Sequence, residues 1–439
     1  MKILFISLGC DKNLVDSEMM MGLLRDKGYE FIDDENLADV VVINTCGFID
    51  SAKEESINTI LNMAELKKSN LKALVVTGCL AQRYKDEILN EIPEIDAIVG
   101  TTAFDTICEV VDDVLAKKSH NEFRDINELC RVDSKRIITT GGYYSYLKIA
   151  EGCDKHCTYC SIPMIKGKYR STPMEDLIKE AEYLADNGVR ELILVAQETT
   201  VYGTDIYGEN KLPELLKKLC RISGIEWIRL LYCYPEEITD ELIQTIKTEK
   251  KILHYIDIPI QHSSDRILKL MGRKTTRRDL VNVISKIRRE IPDMCIRTTL
   301  ITGFPGETTE DHEDVLDFID EIEFDRLGVF TYSREEGTAA SLMDNQIDDD
   351  TKLDRQEEIM ALQQEISLDK SSRLVGRTME VIIEGKAAAE DVYVGRTYMD
   401  APNVDGFVFI NTNNELMSGD FANVRITKAL EYDLIGELV

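Results

Sequence analysis

The chain has 439 residues, long enough for two or three domains with their own cores, and its 44% hydrophobic content is that of a globular protein. No apolar run approaches a membrane span and the opening Met1–Cys10 is too short for a secretion signal, so a cytoplasmic protein is expected, whose 11 cysteines are thiols or metal ligands rather than disulfides. Asp and Glu outnumber Lys and Arg 81 to 52, and a net charge of −29 disfavours nucleic-acid phosphate unless basic residues gather locally. It favours a basic partner, although solubility alone accounts for such a charge.

Residues 1–118 alternate strand-like and helix-like segments. Strands are predicted at Lys2–Ser7, Ala38–Asn44, Ala73–Thr77 and Ile95–Val99, and helices at Leu14–Lys27, Ser51–Leu66, Arg83–Glu91 and Phe104–Lys117. That alternation predicts an α/β domain with a doubly wound parallel sheet. Residues 119–138 are polar and aperiodic and read as a linker; Cys130 here, and Cys108 before it, read as unliganded thiols. Residues 139–371 carry six further strands, at Ser145–Ala150, Glu191–Ala196, Trp227–Cys233, Tyr255–Ile260, Cys295–Thr302 and Arg326–Tyr332, with helices between them. Six such units make a partial (βα)6 barrel with its chemistry at the C-terminal mouth. A long helix over Thr351–Ser372 follows. Residues 372–439 hold five short strands, which predict a small all-β barrel like an OB-fold.

The densest signal is Cys153-x3-Cys157-x2-Cys160, just after the first strand of the partial barrel. Thiolates this close share a metal centre or lie idle. A structural zinc site wants a fourth ligand in a second pair, which does not follow, whereas three thiolates suit a four-iron cluster with one iron left open. A second set is dispersed. Cys10, Cys46 and Cys79 each fall just past a predicted parallel strand, beside Gly9, Gly47 and Gly78. Ligand sites of open α/β sheets form at those strand ends. Taken alone these three are as readily core thiols as ligands; beside the first triad, a second cluster is the better reading.

Thr302-Gly303-Phe304-Pro305-Gly306 follows the fifth strand of the partial barrel and reads either as a backbone cradle for a nucleoside or as a plain turn. Gln261 and His262 end the fourth strand; Gln261 is a candidate cofactor contact and His262 is left unassigned. Gln197–Gly203 supplies polar residues at the same mouth. Lys166, Lys168 and Arg170 either compensate cluster or carboxylate charge or form a solvated basic turn.

The two triads, the domain order and the terminal barrel together resemble the methylthiotransferases of the radical S-adenosylmethionine (SAM) superfamily. Within that family the chain is similar to the branch acting on an aspartate of the twelfth small-subunit ribosomal protein, on the stretches Asn13–Glu18, Asn44–Ile49, Tyr146–Ile149, Val195–Thr200, Asp257–His262 and Phe324–Ser333. The resemblance implies two [4Fe-4S] clusters, one on Cys153, Cys157 and Cys160 that binds SAM and an auxiliary one on Cys10, Cys46 and Cys79. It implies SAM contacts at Gln261, Thr302, Gly303, Pro305 and Gly306, and a TRAM-like terminal module. It also implies an electron donor such as flavodoxin or ferredoxin, and a 5′-deoxyadenosyl radical that takes hydrogen from the β-carbon of the target aspartate before sulfur is delivered. Residues 372–439 hold 6 Lys and Arg against 11 Asp and Glu. An acidic module suits a basic ribosomal protein, and direct RNA binding is not expected of it. The alternatives are the branch that modifies adenosine in transfer RNA and a non-catalytic iron–sulfur carrier.

Overall fold

In the computed structural model, which describes every residue except 133–134 and 388–391 and the side chain of Asp86, the chain divides into two units. The first gathers Met1–Thr139, Lys148–Thr172 and Ser333–Ser341; the second gathers Thr140–Leu147, Pro173–Tyr332 and Leu342–Val439.

The first unit is built on five parallel strands, β1 (Lys2–Ser7), β2 (Glu30–Phe31), β3 (Val40–Thr45), β4 (Ala73–Gly78) and β5 (Ala97–Val99), in the order β2-β1-β3-β4-β5. Every residue of β3 and β4 is buried, because the strands are covered on both faces, and each is an apolar run that turns polar only at its C-terminal end. Successive side chains point to opposite faces. Val40, Val42 and Val75 therefore pack with α1 (Asp11–Asp26) and α4 (Ile107–Leu115), through Met20, Leu24 and Val110. Val41, Ile43 and Leu74 pack with α2 (Asp50–Ala64) and α3 (Cys79–Glu91), through Ile60, Met63 and Leu80. The two-residue β2 is too short to leave a periodic signal, and sequence patterning missed it. The predicted connector at 119–138 is described apart from residues 133–134. Cys130 and Val132 pack against the core, and Arg136 is buried 3.5 Å from Glu18 of α1. A short antiparallel pair, β7 (Ala150–Glu151) with β8 (Arg170–Ser171), and α5 (Ile162–Lys166) belong to this unit too.

The second unit holds a six-stranded sheet of β6 (Tyr144–Lys148, whose last residue counts with the first unit), β9 (Glu191–Val195), β10 (Trp227–Leu230), β11 (Ile252–Asp257), β12 (Cys295–Thr302) and β13 (Arg326–Thr331). Each strand lies beside the next in sequence, the pairing from β9 onward is parallel, and β6 and β13 are its edges. This is the wall of the partial barrel that the sequence predicts. Strands β14 (Thr378–Lys386), β15 (Val392–Arg396), β16 (Val408–Asn411), β17 (Phe421–Ala429) and β18 (Leu434–Leu438) close a separate small barrel around Val381, Ile383, Val408, Ile410, Val424 and Ile426.

The small barrel is seated on the strand starts of the larger sheet. Glu191, the first residue of β9, accepts from Arg229 Nε and Arg396 Nη2 at 2.7 and 2.8 Å, and all three side chains are fully buried. Asp400 meets Arg326, the first residue of β13, at 2.5 Å, and the Tyr255 hydroxyl donates to Asp405 at 2.8 Å. Trp227, which opens β10, stands edge-on to Phe421 with ring centroids 5.0 Å apart.

Candidate metal centre

A sheet ordered β2-β1-β3-β4-β5 has its switch point between β1 and β3, where a crevice opens at the strand ends. The dispersed cysteines line it. Cys10 is the N-cap residue of α1, Cys46 follows β3 directly, and Cys79 is the first residue of α3. Two of the three thiols thus sit at helix N-termini. Cys46 and Cys79 are buried and Cys10 is exposed. The loops approach closely enough that a Cβ on Gly9 would fall 2.6 Å from Cys46 Cβ and 2.9 Å from its Sγ. Gly78 has φ +94°, and a Cβ there would meet Asn44 Oδ1 at 2.3 Å.

Asparagines fix this crevice. Asn13 Nδ2 donates to the carbonyls of Leu8 and Thr45 at 2.9 and 3.0 Å, tying the ends of β1 and β3 to α1. Asn44 Nδ2 donates to the Asn13 carbonyl and Ser17 Oγ, both at 2.9 Å. The Cys79 thiol lies 4.0 Å from Asn13 Oδ1. Burial pushes the Cys79 thiol up to about 12; Lys166 opposes that shift, while Cys10 and Cys46 add to it. Burial likewise raises Cys46, and Cys10 adds to the shift.

The clustered triad belongs to the same unit. Cys153 and Cys157 are buried and Cys160 is half-buried. The Cys153 N–H donates to the Gly167 carbonyl at 3.2 Å, and the Tyr169 N–H to Asp154 Oδ1 at 3.2 Å. His156, between the first two cysteines, has φ +51°, a region that ordinary side chains seldom occupy and that clusters at functional sites. The basic residues after the loop part company. Lys168 is exposed, whereas Lys166 is buried, 3.3 Å from Asp16 Oδ2 and 3.4 Å from Glu151 Oε2. Lys148 joins the same two carboxylates, at 2.8 Å from Glu151.

The expected SAM contacts lie in the second unit. Gln261 has φ +73°; its N–H donates to the Thr299 carbonyl and its own carbonyl accepts from Ile301, at 2.9 and 2.8 Å. Buried Glu307 organises Thr302–Gly306. It accepts from the Phe304 N–H at 3.1 Å, from Arg355 Nη1 at 2.8 Å and from Thr302 Oγ1 at 3.4 Å. Gly303 and Gly306 both have positive φ. His262 is buried with its Nε2 3.7 Å from Glu307, beyond hydrogen-bond reach. Sequence reasoning gave no role to Asn13, Asn44, Asp16 or Glu307; only the first two carried a signal, as polar residues beside a strand-end cysteine.

The residues fit iron–sulfur clusters: each triad offers three soft thiolate donors, and the dispersed one has glycines where a bulky group needs backbone close by. Among the described residues no group of three or more His, Cys, Asp or Glu stands close enough to hold one metal ion. Thiolates that each bind a different iron stand further apart than that, so the observation does not bear on a cluster.

Comparison with known proteins identifies the family. Residues 2–100 match the family model of uncharacterized protein family UPF0004, residues 147–319 that of the radical SAM superfamily and residues 375–439 that of the TRAM domain. The chain is 62% identical to the ribosomal protein uS12 methylthiotransferase RimO of Lachnoclostridium phytofermentans, over 99% of both chains. It is 51% identical to the protein of the same name from Clostridioides difficile, over 100% of this chain and 99% of that one. Among solved structures, the radical SAM methyltransferase TsrM from Kitasatospora setae, with cobalamin and a [4Fe-4S] cluster bound, superposes with a TM-score of 0.58 at 13% identity, over 78% of this chain and 74% of that one. At that identity the likeness speaks for the fold alone. The chain belongs to the RimO family of radical SAM methylthiotransferases.

Proposed function

We infer that the chain methylthiolates the β-carbon of an aspartate in ribosomal protein uS12. The full-length identity to proteins named for that reaction carries the substrate. The placement of two cysteine triads in one unit, with the dispersed set converging on a sheet crevice, supports the use of two clusters. When bound, the cluster on Cys153, Cys157 and Cys160 would supply the electron that cleaves SAM, and the one on Cys10, Cys46 and Cys79 the sulfur. The chain itself contributes position and exclusion of water. Gln261, Thr302, Gly303, Pro305 and Gly306 hold SAM, in a loop that Glu307 fixes through the Phe304 N–H and Arg355. The acidic terminal module attracts the basic ribosomal protein. The electron donor belongs to the flavodoxin or ferredoxin class. Among the described residues no helix is long and apolar enough to cross a membrane, in keeping with a substrate on the ribosome.

The test is anaerobic. Protein reconstituted with iron and sulfide is given SAM and a strong reductant, together with uS12 and an adenosine-bearing anticodon stem-loop. A methylthio group is expected on the uS12 aspartate and none on the RNA; the reverse outcome moves the chain to the transfer-RNA branch. Replacing Cys153, Cys157 or Cys160 with Ala should abolish deoxyadenosine formation. Replacing Cys10, Cys46 or Cys79 should spare it while stopping methylthio transfer, and transfer that survives the second set sinks the two-cluster scheme.

A further inference from the structure

Asp16, Lys148, Glu151 and Lys166 form a buried quartet of two carboxylates and two ammonium groups. They are contributed by the elements that carry the cysteines. Asp16 lies on the helix capped by Cys10, Glu151 two residues before Cys153, and Lys166 on the helix after Cys160. Neither the cluster ligands nor the SAM contacts account for it. Buried ion pairs add little to stability because the desolvation penalty offsets their attraction, so stability alone does not explain this quartet. Lys166 is 3% exposed. Its ion pairs with Asp16 and Glu151, at 3.3 and 3.4 Å, accompany its charge, and Asp16 lies one helical turn beyond Asn13, whose Oδ1 is 4.0 Å from the Cys79 thiol. The backbone beside it is fixed as well: the Ile165 carbonyl accepts from Thr101 Oγ1 at 3.1 Å, and the Gly167 carbonyl from the Cys153 N–H.

Resting on the two-cluster reading above, we propose that Lys166 is a positioning residue for the auxiliary cluster. Its ammonium, steadied by Asp16 and Glu151, places a fixed positive charge against the helix that Cys10 caps and whose Asn13 meets Cys79. A fixed cation in a buried, low-dielectric site favours the form of the cluster with the extra electron, so Lys166 raises its reduction potential and Asp16 lowers it. The quartet also ties the two cysteine-bearing segments of this unit together through one set of ion pairs.

The experiment is a redox titration of the full-length, reconstituted protein followed by electron paramagnetic resonance. The auxiliary signal is identified in a variant with Cys153, Cys157 and Cys160 replaced by Ala. Lys166→Gln should make auxiliary reduction at least tenfold less favourable, a shift of about −59 mV for a one-electron couple. Asp16→Asn should shift it in the opposite direction, and Lys166→Arg should restore the native value. Opposite signs are the signature of a field, since a merely structural role would not reverse with the sign of the charge removed. Unmoved potentials, or shifts of one sign in both variants, overturn the proposal. If Lys166→Gln fails to bind its cluster, Asp16→Asn and Lys166→Arg decide alone. Absence of any auxiliary signal in the native background would instead overturn the two-cluster reading itself.

Discussion

Replacing Glu191 with Gln tests what seats the small barrel. The Glu191 carboxylate lies between Arg229 and Arg396, and all three side chains are fully buried. Arg229 also stacks on Tyr255, 4.5 Å from its centroid, and donates to the Tyr398 carbonyl at 2.8 Å. Burial opposes the ionised carboxylate, but Arg396 and Arg229 outweigh it and hold its pKa below the ordinary range. Removing the charge leaves the buried Arg229 guanidinium without its carboxylate and Arg396 with Glu384 alone, and breaking a buried pair in this way costs about 3–5 kcal/mol. At roughly 1.4 kcal/mol per decade, that is on the order of a thousandfold in population. The assay is built in. Trp227 is the sole tryptophan, is buried, and meets Phe421 of the small barrel, so its emission follows the seating. With a urea slope of about 3 kcal/mol/M, the fluorescence midpoint should fall by roughly 1–1.5 M. Replacing Glu191 and Arg229 together with Leu and Met, while Arg396 keeps Glu384, should recover most of the loss, because a buried ion pair exchanged for apolar side chains of similar volume is often neutral. A Glu191→Gln midpoint equal to that of the native protein would refute the reasoning.

Two further predictions concern the cofactor loops. Gly78→Ala puts a Cβ 2.3 Å from Asn44 Oδ1 at φ +94°, a strain of about 1–3 kcal/mol before the clash is counted; bound iron should fall towards half, while retention of full iron would show that the crevice tolerates it. Glu307→Gln should raise the KM for SAM about tenfold with kcat within about twofold, as expected for a charged hydrogen-bond network worth roughly 1.5–3 kcal/mol. Burial works to raise the Glu307 pKa, but His262, Arg355 and the Phe304 N–H outweigh it and hold it low. A depressed carboxylate contributes fully above its unfolded pKa of about 4.3 and loses its hold only as pH falls through the lower folded value. The native KM for SAM should therefore be flat from about pH 6 to 8 so far as Glu307 governs it, and a KM that tracks Glu307 protonation in that range would contradict the assignment.

The three-part architecture was legible because its signals are local. Val40–Ile43 is an unbroken apolar run, as the middle of a strand covered on both faces must be, and the sequential order of β6 and β9–β13 follows from sequential strands lying side by side. The convergence of Cys10, Cys46 and Cys79 was legible for a topological reason, since parallel strands deliver all their C-terminal ends to one edge. The start of α3 was not. Sequence placed it at Arg83, whereas the helix begins at Cys79, because its N-cap is Gly78 and carries no side chain to signal a cap. The fate of Lys166 was not legible either. Lys166 and Lys168 look alike in the chain, and the carboxylates that mark the buried one, Asp16 and Glu151, lie 150 and 15 positions away. Arg229 and Arg396 read as ordinary strand residues for the same reason.

The placement of the small barrel bears on how a protein substrate would engage. Its contacts fall at the strand starts: the Cys295 thiol, on the first residue of β12, donates to the Met399 carbonyl at 3.4 Å, whereas Thr302, the last residue of the same strand, opens the expected SAM loop. Eight strand residues put these ends about 23 Å apart at roughly 3.3 Å per residue. Much of the charge near the seat is consumed internally, by Arg326 with Asp400 and Arg297 with Asp405, but Glu415 and Glu431 remain exposed. If the acidic module recruits uS12, a substrate held there must span the length of the sheet, which an intact ribosomal protein can do and a short target-loop peptide cannot. Replacing Glu415 and Glu431 with Gln should then raise the KM for intact uS12 about threefold at low salt, at about 0.2–1 kcal/mol per exposed charge, with the effect fading as salt screens it. The KM for the peptide should not move. Equal effects on both substrates, or none on the intact protein, would remove the module from recruitment and leave it the role of a seat that closes the strand-start end of the larger sheet.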